Sequence, residues 1–154
     1  MALKEKLQND IKEAMKAGDA FRLSALRMAQ SAVQNQALAA RAKSGEAKEV
    51  ELSDDEIIQV LKREVKKRKD AAGEYEKGGR NELAEKEMRE ASILETYLPK
   101  EADDVVVEEA VRTAIAEVGK DPKEFGKIMG AAMKKLGGAA SGERVSQAVK
   151  KQLG

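Results

Sequence analysis

The chain has 154 residues with 29 basic and 28 acidic side chains, so its net charge of +1 gives no overall attraction to nucleic acid or to a membrane surface. It contains neither cysteine nor histidine, which excludes disulfides, thiolate nucleophiles, the commonest zinc ligands and the usual base of a nucleophilic triad. Aromatic residues make up only 3% of the chain, so the core must consist of aliphatic side chains, which pack readily between helices.

Apolar residues recur at helical spacing along the whole chain and predict an all-α fold. The first pattern covers residues 3–15 and ends at Gly18, which suits a helix C-terminus. The second covers residues 23–37. We expect a loop over residues 44–51, because that stretch is polar.

The third and fourth helices have clear boundary signals. Ser53 and Glu56 form an S-x-x-E capping box, which predicts the start of a helix that ends at Gly78. We expect Asn81 to cap the fourth helix, which must end before Pro99 because proline disfavours helical conformation at the preceding residue. The residues expected to face inward on the fourth helix are Leu83, Ala84, Met88, Ala91, Leu94 and Leu98.

Pro99 is also the predicted domain boundary. We expect an N-terminal helical domain of about four helices over residues 1–99 and a three-helix tail domain over residues 100–154. The three tail helices are expected to begin at Asp103, at Asp121 with Pro122, and at Ser141. The second of them should end at Gly137.

Two glycines, Gly126 and Gly130, stand four residues apart on the second tail helix. A glycine in a helix lets another backbone approach closely. We interpret this pair as a tight helix crossing in the core.

The densest basic run lies on the third helix, where its side chains are spread over two helical faces. Clustered cations could bind phosphate by displacing condensed counterions. They could also dock a partner protein, or form only a solvated surface balanced by neighbouring carboxylates. The candidate partner-binding residues are Lys62, Arg63, Lys66, Lys67 and Lys69.

The tail separates its charges along the sequence. Residues 101–122 carry seven acidic and two basic side chains, whereas residues 123–154 carry seven basic and two acidic ones. The basic half could form a weak patch for an RNA backbone, or it could complement another protein or the first tail helix. Arg144 and Lys151, seven residues apart, are expected on the outer face of the last helix. The candidate RNA-binding residues are Lys127, Lys134, Lys135, Arg144, Lys150 and Lys151.

Several motifs, in the same order, resemble those of one known family. They are Leu-Arg-Met from Leu26 with Asn35 following, REVKKRKDA from Arg63, GGRNELAEKE from Gly78 and ILETYLP from Ile93. These motifs are similar to the YqeY family. The segment FGKIMGAAMKKLGG from Phe125 resembles the tail that this family shares with the GatB protein of the tRNA-dependent amidotransferase. The resemblance covers almost the whole chain.

The resemblance implies a helical N-terminal domain followed by a three-helix tail, which in the amidotransferase holds the tRNA while other domains perform the chemistry. It therefore implies an accessory protein that binds tRNA or a tRNA-handling complex. One position departs from the family: Ala139 stands where a basic residue is usual, which removes the cation nearest the presumed tRNA face.

We expect no catalytic residue, metal or cofactor, and neither DNA nor a membrane as a partner. No apolar signal core follows the initiator Met, and no run approaches the ~18–20 apolar residues that cross a bilayer, so we expect a cytoplasmic protein. Two alternatives stay open. One is an assembly factor that binds proteins but not RNA. The other is a component of a carbon–nitrogen ligase that uses glutamine as the amide donor.

Overall fold

The computed structural model describes residues 2–45 and 50–154, which form seven α-helices, one 3₁₀ turn and no strand. The predicted all-α class is therefore confirmed. No helix within these two ranges has the length and apolar character that a membrane span requires. The helices are α1 (Ala2–Ala17), α2 (Ala20–Ser44), α3 (Asp54–Lys77), α4 (Asn81–Glu95), α5 (Asp104–Val118), α6 (Phe125–Leu136) and α7 (Gly142–Leu153), and the 3₁₀ turn is Pro122–Glu124.

The chain forms two compact units, Met1–Leu98 and Pro99–Gly154, which we call unit 1 and unit 2. Unit 1 contains α1 to α4, and unit 2 contains α5 to α7. Each unit has its own cluster of buried apolar side chains.

Alanines make close packing possible in unit 1. Ala25, Ala29 and Ala91 are completely buried, as are Leu26 and Leu94 beside them. A methyl side chain keeps neighbouring helix axes close, so α2 and α4 pack well without aromatic residues.

The core of unit 2 is built from β-branched residues on three short helices. Val111 of α5, Ile128 of α6 and both Val145 and Val149 of α7 are completely buried. The stripes that face inward are spaced as the helical pattern predicts. The third of these helices begins at Ser141 as expected, because the Ser141 hydroxyl accepts a hydrogen bond from the backbone N–H three residues later.

The predicted capping box at the start of α3 is confirmed. The Ser53 N–H donates to Glu56 Oε2 at 2.7 Å, and the Glu56 N–H donates to Ser53 Oγ at 3.2 Å. The predicted cap of α4 is wrong, because Arg80 occupies the N-cap position and Asn81 is already helical. The chain enters α4 directly from the turn that ends α3, so Asn81 is placed one residue too late to cap it.

Two further sequence expectations differ from the structure. The predicted inward-facing residues Leu83 and Met88 are 38% and 42% exposed, because α4 contributes a narrower stripe centred on its alanines and Leu94. Asp121 and Pro122 open a separate 3₁₀ turn, and α6 begins only at Phe125. Part of the loop expected over residues 44–51 lies outside the described residues.

Tyr97 ties α1 to the segment that follows α4. Its hydroxyl donates a hydrogen bond to the Asp10 carboxylate, and Lys6 Nζ lies 4.6 Å from the centroid of its buried ring. Burial raises the pKa of the Tyr97 phenol well above its ordinary value, and the hydrogen bond to Asp10 acts in the same direction.

Replacing Tyr97 with Phe removes this hydroxyl and keeps the ring. We expect the free energy of unfolding at pH 7 to fall by about 1.5–3 kcal/mol, the range for a hydrogen bond to a charged group. The folded protein keeps the phenolic proton at pH values where the unfolded chain has released it. The stabilisation that the Tyr97 hydroxyl provides is therefore complete below pH 10.0, the pKa of the phenol in the unfolded chain. It is lost progressively as the pH rises above that value.

Urea unfolding of the wild type and of Tyr97→Phe at neutral pH and above pH 10 measures this effect. The difference between the two proteins should narrow at the higher pH. A difference that stays the same would contradict the assignment.

Candidate nucleic-acid and partner interfaces

The solvent side of α6 carries lysines and two glycines, which leave the helix backbone uncovered by side chains. Gly126, Lys127, Gly130 and Lys134 are all exposed, and their spacing places them within one arc of the helix. We call these four residues the α6 face. Lys127 Nζ lies 3.2 Å from Glu124 Oε2 in an exposed pair, and no ion pair within the described part of the chain involves Lys134.

The interpretation of Gly126 and Gly130 as a tight helix crossing is wrong. A β-carbon added at either position would meet no atom within 4 Å beyond its own neighbouring backbone. The buried stripe of α6 instead consists of Ile128, Ala132 and Leu136. The two glycines therefore point to solvent, where no packing requirement within unit 2 explains them.

Two of the candidate RNA-binding cations are held by the acidic half of unit 2. Lys135 Nζ lies 2.8 Å from Glu117 Oε1, which joins α6 to α5. Arg144 is only 29% exposed and its guanidinium lies 2.9 Å from Asp104 Oδ1, which joins α7 to the start of α5. Internal pairing thus accounts for part of the charge separation seen in the sequence.

Arg144 has a structural role at the junction between α5 and α7. Its Nη2 also donates to the Ala102 carbonyl at 2.8 Å, and the Ala102 N–H donates to the Ala139 carbonyl at 2.7 Å. The outer-face position expected for Arg144 is therefore wrong, because its guanidinium turns back onto its own unit. The backbone of Ala139 belongs to the same network.

The remaining two candidates, Lys150 and Lys151, are exposed near the end of α7. Lys151 lines a groove of about 520 Å³ between α5 and α7, together with Arg112 and Lys120. Sequence reasoning did not select Arg112 or Lys120, because both lie in the half of the tail that is acidic overall. Only the packing of α5 against α7 brings these three cations together.

The basic run of α3 is divided between two neighbours. Arg63 Nη2 donates to Gln36 Oε1 of α2 at 3.0 Å, whereas Lys69 Nζ lies 2.5 Å from Glu95 Oε1 of α4. Lys66 and Lys67 are exposed, and Lys62 is partly buried. The five candidates therefore do not form one continuous surface.

Arg68, in the same run, is buried between two carboxylates. Its Nη1 donates to Glu64 Oε2 at 2.9 Å, and its Nε lies 3.4 Å from Glu90 Oε2, within ion-pair distance but not aligned for a hydrogen bond. Burial alone would raise the pKa of the Glu64 carboxyl, but the hydrogen bond from Arg68 and the charges of Lys67 and Arg68 outweigh it, so this pKa lies below its ordinary value.

The basic residues of this run carry similar side chains, and the sequence interpretation did not separate Arg68 from its exposed neighbours. A signal was nevertheless present. Arg68 lies three residues after Val65 and four before Ala72, on the buried stripe of α3.

Among residues 2–45 and 50–154, no group of three or more acidic side chains is arranged to hold a metal ion.

Comparison with known proteins decides the family. The family model described as Yqey-like protein matches residues 4–153. The chain belongs to the YqeY family. The assignment made from the motifs is therefore confirmed over nearly the full length.

The curated relatives of this YqeY protein include fungal proteins. The chain is 30% identical over 132 residues to Altered inheritance of mitochondria protein 41 of Kluyveromyces lactis, covering 79% of the chain and 66% of that protein. It is 28% identical over 92 residues to the protein of the same name from Vanderwaltozyma polyspora, covering 60% of the chain and 46% of the relative. An uncharacterized Schizosaccharomyces pombe protein is 38% identical over 53 residues, which cover 34% of the chain and 43% of that protein.

The chain thus spans less than two thirds of the length of these curated relatives. The names of the first two describe mitochondrial proteins.

Replacing Arg68 with Met should destabilise unit 1 strongly, because it leaves the Glu90 carboxylate buried without its ion-pair partner. We expect the free energy of unfolding to fall by about 3–5 kcal/mol. Lys67→Met is the matched control, since Lys67 pairs with the same Glu64 from an exposed position, and it should change stability by less than about 1 kcal/mol.

Urea unfolding followed by circular dichroism measures both variants. The double variant Arg68→Met/Glu90→Leu should recover most of the loss, because it removes the uncompensated charge. Equal effects of Arg68→Met and Lys67→Met would show that the buried position of Arg68 does not matter.

Proposed function

We propose that this YqeY protein is a non-catalytic accessory factor whose unit 2 binds tRNA, alone or within a tRNA-handling complex. In this proposal the chain has two separate domains, over residues 1–99 and 100–154, and the protein acts in the cytoplasm. The likeness of the family's tail to the amidotransferase protein supports tRNA as the ligand by analogy only. The residues of unit 2 supply the physical support.

The observation that carries the proposal is the α6 face. Glycine in an exposed helix interior costs about 1 kcal/mol relative to alanine, and Gly130 gains no packing contact in return, nor does Gly126 in the first turn of α6. Bare backbone on a helix lets another molecule approach more closely than any side chain would allow. Lys127 and Lys134 flank this strip with positive charge, so a phosphate backbone is a suitable occupant.

The charges of unit 2 favour recognition of the RNA backbone over recognition of bases. The α6 face carries lysines, which neutralise phosphates and displace counterions. It has no aromatic side chain on which an unpaired base could stack. Lys150 and Lys151 extend the set of exposed cations in unit 2. We therefore propose binding that depends on RNA shape and charge, with little sequence preference.

The absence of catalysis is part of the same proposal. Glutamine hydrolysis needs an activated nucleophile, and the chain has no cysteine to provide one and no histidine to activate a serine. The proposal includes that no serine–lysine pair replaces them. Release of ammonia from glutamine by the purified full chain, abolished by a single substitution, would contradict this part and favour the carbon–nitrogen ligase alternative.

A salt titration tests the proposed ligand. Filter binding of the full chain to bulk tRNA at several salt concentrations should give a logarithmic slope that becomes shallower by about one to two in Lys127→Gln/Lys134→Gln, since each lost phosphate contact changes it by about 0.7–0.9. Lys12→Gln/Lys86→Gln removes two exposed lysines of unit 1 and should leave the slope unchanged. Binding that is absent at micromolar protein, or indifferent to salt, would overturn the proposal.

A glycine substitution separates stability from binding. Gly130→Ala should raise the free energy of unfolding by up to about 1 kcal/mol, because alanine is the better helix former, yet it should weaken tRNA binding severalfold by holding the RNA away from the helix. Gly73→Ala is the matched control, since Gly73 also lies inside a helix with nothing within 4 Å of an added β-carbon.

Thermal unfolding and tRNA binding are measured on both variants. Gly73→Ala should be stabilised without any change in binding. A Gly130→Ala protein that binds tRNA as tightly as the wild type would remove the reason to place RNA on the α6 face.

A further inference from the structure

Unit 1 contains a groove that the proposed tRNA site does not use. It lies between α2 and α3, measures about 910 Å³ and is open to solvent. Its walls come from residues 20–36 of α2 and residues 60–68 of α3. At 1.5 Å per residue, the α2 wall is ~24 Å long, which matches about four turns of a docked helix.

The two walls run antiparallel. Gln36 of α2 bonds Arg63 of α3, whereas Met28, eight residues earlier on α2, lies 3.8 Å from Arg68, five residues later on α3. Beneath the groove, buried residues of both helices, including Val60, belong to one apolar cluster. The groove is therefore a shallow channel parallel to two helices.

The floor of the channel is apolar. Leu23, Met28, Ala32 and Val60 line it, and Met28 is 39% exposed. Methionine side chains are flexible and polarizable, so they suit surfaces that adapt to apolar residues of a partner. The exposed Met28, with the half-buried Leu23 and Ala32 beside it, favours a ligand with an apolar face of its own.

The rim of the channel is basic. Its exposed cations are Arg27, Arg63 and Lys67, whereas Arg68 is buried beside Glu64, the one carboxylate of the lining. That carboxylate is already paired with Arg68 and Lys67. The positive charge of the two exposed arginines is therefore not cancelled inside the groove.

The contacts of these two arginines leave their charge available. Arg63 bonds the neutral amide of Gln36, and Arg27 bonds the Met15 sulfur at 3.8 Å. Neither guanidinium pairs with a carboxylate within residues 2–45 and 50–154. A carboxylate from another molecule would form a charge-assisted pair with either guanidinium, which is stronger than a contact with a neutral acceptor.

We propose that the α2–α3 groove binds an acidic amphipathic helix of a partner protein. The apolar face of that helix lies on Met28 and its neighbours, and its flanking carboxylates pair with Arg27 and Arg63, as in other complexes where a helix occupies a groove. RNA suits this surface less well, because a phosphate backbone would leave the apolar side chains of the groove uncovered. The proposal does not depend on tRNA binding by unit 2.

A displayed library of helical peptides about 16 residues long tests the proposal, with the full chain as bait. Apolar residues are fixed at helical spacing, and the flanking positions vary among Glu, Gln and Lys. We expect selection on the wild type to enrich Glu. Selection on Arg27→Glu/Arg63→Glu should instead enrich Lys, because the sign of the rim is reversed.

Lys12→Glu/Lys86→Glu is the matched control, since it makes the same charge change at exposed lysines outside the groove, and it should enrich Glu as the wild type does. The best acidic peptide should bind Arg27→Glu/Arg63→Glu at least about tenfold more weakly than the wild type. No enrichment of Glu on the wild type, or the same enrichment on the reversed rim, would overturn the proposal.

Methyl NMR of the methionines locates the peptide. The Met28 signal should shift when the peptide is added, whereas Met88 of α4 and Met133 of α6 should not. A shift of Met88 without Met28 would place the peptide elsewhere and overturn the proposal. A shift of Met28 by bulk tRNA, with none by the acidic peptide, would show that the groove is an RNA surface.

Discussion

Close packing of helices by small and aliphatic side chains is the constraint on which both units depend. With only 3% aromatic residues, unit 1 brings helix axes together over Ala25, Ala29 and Ala91, and Tyr97 adds a buried ring to a core that is otherwise aliphatic. Each helix therefore buries a narrow stripe and leaves a wide outer surface. The charged residues occupy that surface, and their partners decide which of them remain available to other molecules.

The buried pair of Arg68 and Glu90 is the exception to this division. Taking both charges out of water is unfavourable unless their geometry compensates, and here a second carboxylate, Glu64, supplies the aligned hydrogen bond. The pair joins α3 to α4 within the core of unit 1. It also explains why one member of a run of similar cations is unlike the others.

Local signals in the sequence predicted much of the fold. The capping box at Ser53, the cap at Ser141 and the helix end at Gly137 depend on a few adjacent residues, and the structure has all three. Asn81 failed as a cap because the preceding turn, and not the residue type, decides where α4 begins.

The candidate surfaces were less predictable, because they depend on packing between distant segments. Lys135 and Arg144 look like Lys134 and Lys151 in the sequence, yet the first two pair with carboxylates of α5. Likewise, Gly126 and Gly130 lie on the solvent side of α6 because the opposite stripe of that helix is buried. The α2–α3 groove could not be predicted at all, since its walls are separated by more than twenty residues of chain.

Two kinds of basic surface emerge from the same composition. In unit 2, lysines accompany exposed backbone glycine, which suits the close approach of a phosphate chain. In unit 1, arginines border an aliphatic channel, which suits a helix with carboxylates at its edges. A protein with both proposed surfaces would connect an RNA to another protein, which is compatible with the non-catalytic accessory role proposed for this member of the YqeY family.

Lysine acetylation read by mass spectrometry, with and without bulk tRNA, tests the RNA site most directly. We predict that tRNA lowers the reactivity of Lys127 and Lys134 while Lys12 and Lys86 react as before. Unchanged reactivity of Lys127 and Lys134 at saturating tRNA, or protection confined to unit 1, would contradict the proposed site.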